Sequence, residues 1–139
     1  MSDKAFKLEV ITPDRVVMTD GGVASAVLPG SQGYMGILAG HAPLMAELNI
    51  GQIDIRRSDG TTDAIAISGG FMEVLSNTVT VLADTAELAG EIDEERAEEA
   101  KRRAQDRITQ RTPNMDVERA EIALKKSLNR LRVKSGRKV

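Results

Sequence analysis

The sequence predicts a β + α chain: an N-terminal antiparallel β-sandwich over residues 1–86 and a C-terminal antiparallel α-helical hairpin over 87–139. Three observations predict it. Between residues 4 and 84, apolar residues recur with period two in short runs separated by turn residues. From Ile92 onward the period becomes helical and no strand signal remains. Thr112-Pro113-Asn114 then splits the helical part in two.

In the first part, Phe6, Leu8 and Val10 alternate with charged neighbours until Thr12-Pro13-Asp14 breaks the run. Runs at 16–18 and 23–28 follow, separated by Asp20-Gly21-Gly22. Ile53 and Ile55 alternate with Gln52, Asp54 and Arg56 before a Ser58-Asp59-Gly60 turn. Runs at 64–68, 71–75 and 78–83 complete the set, with Gly69-Gly70 and Ser76-Asn77 read as turns between them. Typical strand lengths give about ten strands in a sandwich or flattened barrel.

In the second part, 87–90 reads as a linker, and Asp93-Glu94-Glu95 place acids where a first helical turn favours them. That helix runs to about Gln110, with a face of Ala97, Ala100, Ala104 and Ile108. The next starts near Asp116 and reaches about Val133, with a stripe of Val117, Ala120, Leu124, Leu128 and Leu131. Alanine permits close approach but buries little area, so the hairpin is expected to be marginal and able to detach.

Composition removes several function classes. There is no cysteine, hence no disulfide, thiol nucleophile or zinc-thiolate site, and one histidine makes no imidazole cluster. Three aromatic residues, Phe6, Tyr34 and Phe71, supply few stacking platforms for single-stranded nucleic acid. No apolar run approaches the roughly 20 residues of a membrane span, and Met1-Ser2-Asp3-Lys4 leads into no signal-peptide core. Charge is divided: residues 1–84 hold ten acids and five bases, whereas 85–139 hold eleven acids and fourteen bases. Residues 125–139 contain seven bases and no acid, which suits an acidic partner as well as it suits a solvated end.

No phosphate loop and no nucleophile–histidine–acid set occurs, so no catalytic residue or metal site is assigned. The glutamates at 94, 95, 98 and 99 read as a solvated helix face. His41, before Ala42-Pro43, reads as a locally bonded loop residue on a loop free to meet a partner. The most suggestive pattern is Ile92-Asp93-x-x-Arg96-Ala97-x-x-Ala100-x-x-Arg103. Asp93, Arg96, Ala100 and Arg103 share a helix face, opposite Lys126 and Arg130 of the second helix. Those cations suit a polyphosphate, but the pattern alone favours a structural seam in which Asp93 and Glu99 neutralise the arginines. Two further readings stay open: a nucleic-acid binder using the basic tail, and a small enzyme around His41.

Four segments in order carry a resemblance. They are Val10-Ile11-Thr12-Pro13-Asp14, the string Gly36-Ile37-Leu38-x-Gly40-His41-x-Pro43-Leu44, Ser68-Gly69-Gly70-Phe71, and Arg119-Ala120-Glu121-x-Ala123-Leu124 leading to Asn129-Arg130-Leu131. Over essentially its whole length the chain resembles the epsilon subunit of rotary F-type ATP synthases, of the bacterial type. The resemblance implies a non-catalytic central-stalk subunit whose sandwich binds the gamma subunit and the c-ring. It puts Gly36, His41 and Pro43 at the rotor contact, and the protein at the cytoplasmic face of the bacterial plasma membrane as a peripheral part of the complex.

It further implies a hairpin that alternates between compact and extended states. Extended, it meets the catalytic alpha and beta subunits and blocks ATP hydrolysis, with Lys125, Lys126, Arg130 and Arg132 supplying charge. No cofactor is required, but in some bacterial members ATP stabilises the compact state. Glu87, Ile92, Asp93, Arg96, Ala97, Arg103 and Arg130 match that nucleotide motif. Lys126 departs from it, standing where ATP-binding members have arginine; an ammonium is a point charge rather than a fork, which points to weaker binding.

Overall fold

The computed structural model describes residues 4–136. Arg137 and Lys138 of the basic tail, and Met1, Ser2 and Asp3 ahead of the first strand, lie outside the described residues. Seven strands come first: β1 (Phe6–Ile11), β2 (Val16–Gly30), β3 (Gly33–Leu38), β4 (Leu44–Arg57), β5 (Thr62–Leu75), β6 (Thr78–Ala83) and β7 (Ala86–Leu88). A 3-10 turn (Ala89–Glu91) leads into helices α1 (Glu94–Thr109) and α2 (Val117–Lys134).

The strands run in the order β1-β6-β5-β4-β2-β3, and a further pairing of β1 with β2 closes the ring into a flattened barrel. β3 and β7 extend it at β2 and β5. Its interior is filled by the period-two residues, among them Phe6, Leu8, Val10, Ile53, Ile55, Val79 and Val81.

The expected sandwich and hairpin are therefore present, with seven strands rather than about ten. The reason lies in two glycine pairs read as turns. β2 runs unbroken through Gly21-Gly22, and β5 through Gly69-Gly70. Both strands change partners part-way: β2 passes from β1 to β3, and β5 from β7 to β6. Gly69 and Gly70 have φ of 112° and 143°, values that L side chains rarely adopt, and they redirect the strand without ending it. Glu87 and Leu88, read as linker, likewise form β7 against Ala66 and Ile65.

Asp93 and Asp116 cap the two helices, their side chains accepting from the backbone N–H of Arg96 and Arg119 at 3.2 and 3.0 Å. The small residues Ala97, Ala104, Ala120 and Ser127 are buried, so the helices pack closely. The stripe expected on α2 needs correction. Leu128 is 42% exposed, while Ser127, Asn129 and Val133 are buried. α2 packs on two surfaces at once, α1 on one side and β4 and β5 on the other. A single leucine stripe describes neither.

Candidate functional site: a cationic cleft between the helices

A cleft of about 550 Å³ opens between α1, α2 and the end of the sheet. Arg103 and Arg107 enter it from α1, one turn apart; Lys126 and Arg130 enter from α2, also one turn apart. Ala100, Ala104 and Ala123 line the space between them, and their small side chains are what leave it open. Four cations thus share a cleft with one acid, Glu87 of β7.

Glu87 clasps Arg130: Nε donates to Oε1 at 2.6 Å and Nη2 to Oε2 at 3.3 Å. Both partners are partly buried, and the two-point contact fixes the guanidinium plane. Among the described residues Arg103 pairs only with Glu99 at 4.0 Å, one turn back and exposed, a pair of little energetic weight. The alternative seam therefore forms only in part, because Asp93 is engaged in capping α1.

Of the eight nucleotide-site residues expected from the sequence, the structure gathers Glu87, Arg103, Lys126 and Arg130. The others lie at the start of α1 and do not line the cleft. Asp93 is the cap, Ile92 is buried against Ala66 and Val133, Ala97 is fully buried, and Arg96 is exposed. Arg107 was not anticipated; its spacing of four from Arg103 is the signal that finds it.

The remaining basic residues of α2 face elsewhere. Lys125 and Arg132 line a second cleft of about 530 Å³, against Glu47 and Asp84 of the sheet domain. α2 thus places two cations in each of two clefts, while Arg119 and Lys134 line neither.

Gly36, within the edge strand β3, and His41 and Pro43, in the loop after it, are all exposed. His41 Nδ1 lies 2.7 Å from the carbonyl oxygen of Ala42, and its backbone N–H donates to Leu38. The loop is pinned by Asn77, whose Oδ1 accepts from the Gly40 N–H at 2.9 Å while its Nδ2 donates to Ala5. Asn77 holds φ at 58° to do this. Nearby on the sheet surface Met45, Phe71 and Leu82 are exposed, Met45 by 74%. Phe71 and Leu82 face each other across β5 and β6.

Two polar clusters stabilise the frame. Arg57 bonds Asp20 at 2.6 Å, which holds the Asp20 carboxyl below the ordinary carboxylate range, with the Gly22 N–H helping. Arg15 grips Glu91 through both oxygens at 3.1 and 2.9 Å, and this bond, then the Leu88 N–H, lowers the Glu91 carboxyl similarly. The second cluster ties the turn before α1 to the sheet.

Residues 5–89 match the family described as ATP synthase, Delta/Epsilon chain, beta-sandwich domain, and 91–135 match its long alpha-helix domain. The chain belongs to the ATP synthase epsilon family. Epsilon chains are accessory central-stalk subunits of the F-type synthase rather than its catalytic ones. The ATP synthase epsilon chain of Moorella thermoacetica is 45% identical over 128 residues, 92% of this chain and 95% of that one. That of Symbiobacterium thermophilum is 49% identical over 127 residues, 91% of each.

Among solved structures, a chain of the Euglena gracilis mitochondrial ATP synthase (OSCP/F1/c-ring, rotational state 1) superposes with a TM-score of 0.76. It is 26% identical, covering 90% of this chain and 78% of that one. A chain of the Tetrahymena thermophila mitochondrial central stalk and c-ring shares the fold, with a TM-score of 0.56 and 14% identity over 98% of both chains. No helix among the described residues is long and apolar enough to cross a membrane.

Proposed function

We propose that this epsilon chain is a non-catalytic rotor subunit of a bacterial F-type ATP synthase, with a hairpin that brakes ATP hydrolysis and is held compact by ATP. Residues 1–86 dock on the gamma subunit and the c-ring, transmitting ion-driven rotation to the catalytic head at the cytoplasmic face of the plasma membrane. Residues 87–139 regulate. The observation that carries the regulatory reading is the cleft in which Arg103, Arg107 and Lys126 converge with Arg130. A polyphosphate spanning α1 and α2 neutralises cations on both helices, so it favours the state in which they lie together. Released from the sandwich, α2 presents Lys125, Lys126, Arg130 and Arg132 to acidic surfaces of the alpha and beta subunits.

Docking on gamma is supported by the exposed apolar face of Met45, Phe71 and Leu82, and rotor contact by the pinned loop carrying His41. The test is co-expression with gamma, followed by hydrolysis assays on the reconstituted catalytic head. Phe71→Glu is expected to abolish co-purification, and Lys125→Glu with Arg132→Glu to relieve inhibition while leaving co-purification intact. Full inhibition by the doubly reversed variant would contradict the brake.

A further inference from the structure

Asn129 is the one polar residue that α2 buries against the sheet, and it is 5% exposed. Its Nδ2 donates to the carbonyl oxygens of Gly51 at 2.7 Å and Ile67 at 3.3 Å. Those residues are partners across the β4–β5 ladder. On its other side, Gly51 falls in a gap of the β2–β4 ladder, between the pairs Val27–Asp54 and Gly30–Leu48. Two carbonyls need a donor, which fixes the amide orientation and leaves Oδ1 facing inward. That oxygen is buried and has no hydrogen-bond partner among the described residues. One turn on, Val133 is fully buried among Ala64, Ala66, Ala89 and Ile92, a shallow pocket made mostly of alanine.

We propose that Asn129 is a releasable polar latch: it holds α2 on the sandwich through two backbone carbonyls, and its unmet oxygen keeps that docking shallow. Undocking gives the amide to water; it is opposed by the two donated bonds, by the burial of Val133 with Ile92 and Ala66, and by the Arg130–Glu87 pair. A leucine of similar size would remove both donated bonds while docked. The sandwich core, closed by its own ring of strands, does not depend on the latch. The latch goes beyond the nucleotide reading, for it needs no ligand, and a chain that binds no ATP could still carry it.

The test is amide hydrogen exchange on the full chain, corrected for intrinsic rates, at about pH 7, above the ordinary carboxylate range, and at about pH 4, within that range and below the raised value expected of a docked carboxyl. Asn129→Ala is expected to speed exchange in α2 about tenfold, as befits losing two hydrogen bonds, with strand protection unchanged. Asn129→Asp keeps the shape, but its carboxylate cannot donate and is repelled by both carbonyls, which raises its pKa in the docked state. Docking by that variant is therefore present at the lower pH, where a protonated carboxyl donates one bond, and is lost as pH rises. The charged groups around the site are Glu47, Asp84, Glu87, Lys125, Arg130 and Arg132, and the unaltered chain at each pH controls for them. The latch is overturned if Asn129→Ala leaves α2 exchange unchanged, if strand protection falls together with α2, or if Asn129→Asp is equally open at both values of pH.

Discussion

Replacing Gly70 by alanine probes the bend that lets β5 serve two partners. Gly70 sits at φ 143°, and a Cβ there would land on the carbonyl oxygen of Leu82 and 2.8 Å from Ala83 Cα. Those atoms are backbone of β6, held in register by the Gly70–Ala83 pairing, so no rotamer change makes room. The unusual φ costs about 1–3 kcal/mol and the forced backbone shift about as much again, giving a loss of roughly 4 kcal/mol. Against a domain stability of roughly 5–15 kcal/mol, that lowers the melting temperature by roughly 15–30 °C. Gly36→Ala is the control, because it meets open space at an ordinary φ and should stay within about 0.5 kcal/mol. Thermal and urea unfolding followed by circular dichroism measure both. A Gly70→Ala chain within about 1 kcal/mol of the parent would refute the close approach as the reason for this glycine.

Other outcomes follow from the same contacts. Val133→Ala removes two buried methyl groups, worth about 2 kcal/mol with the residual cavity, and trypsin should cut the Lys- and Arg-rich hairpin more than tenfold faster with the strands still intact. Because Arg57 depresses the Asp20 carboxyl, the stability it contributes is present above the ordinary aspartate value of about 4 and is lost as pH falls through the lower folded value. Arg57→Met should flatten that acid dependence in unfolding curves below about pH 4, and an unchanged slope would count against the pair. Asp116→Ala removes the cap of α2 and should cost about 1 kcal/mol, read as lower helicity with little change in strand signal.

The parts of the fold that follow from local chemistry were legible in the sequence. Alternation in Phe6, Leu8 and Val10 gave β1 its inward face, and Asp93 and Asp116 mark the helix starts because an N-cap is a local device. Glycine pairs were misleading, since a turn and a bend within a strand ask the same backbone freedom of them. Only the Gly70–Ala83 pairing, a long-range fact, tells the two apart. Leu128 was misassigned, and Asn129 passed over, for a related reason: periodicity ranks leucine inward, but carbonyls of β4 and β5 draw the asparagine in. In the cleft, the spacing of Arg103, Lys126 and Arg130 was informative, whereas Asp93 was already engaged by its own helix.

The measurement that bears most directly on the regulatory reading is a calorimetric titration of the full chain with MgATP, beside Arg103→Ala and Lys126→Arg. Saturable binding is predicted, lost in Arg103→Ala and tightened in Lys126→Arg, where a fork replaces a point charge. Absence of binding up to millimolar ATP would contradict an ATP-held hairpin and leave these cations to the brake alone.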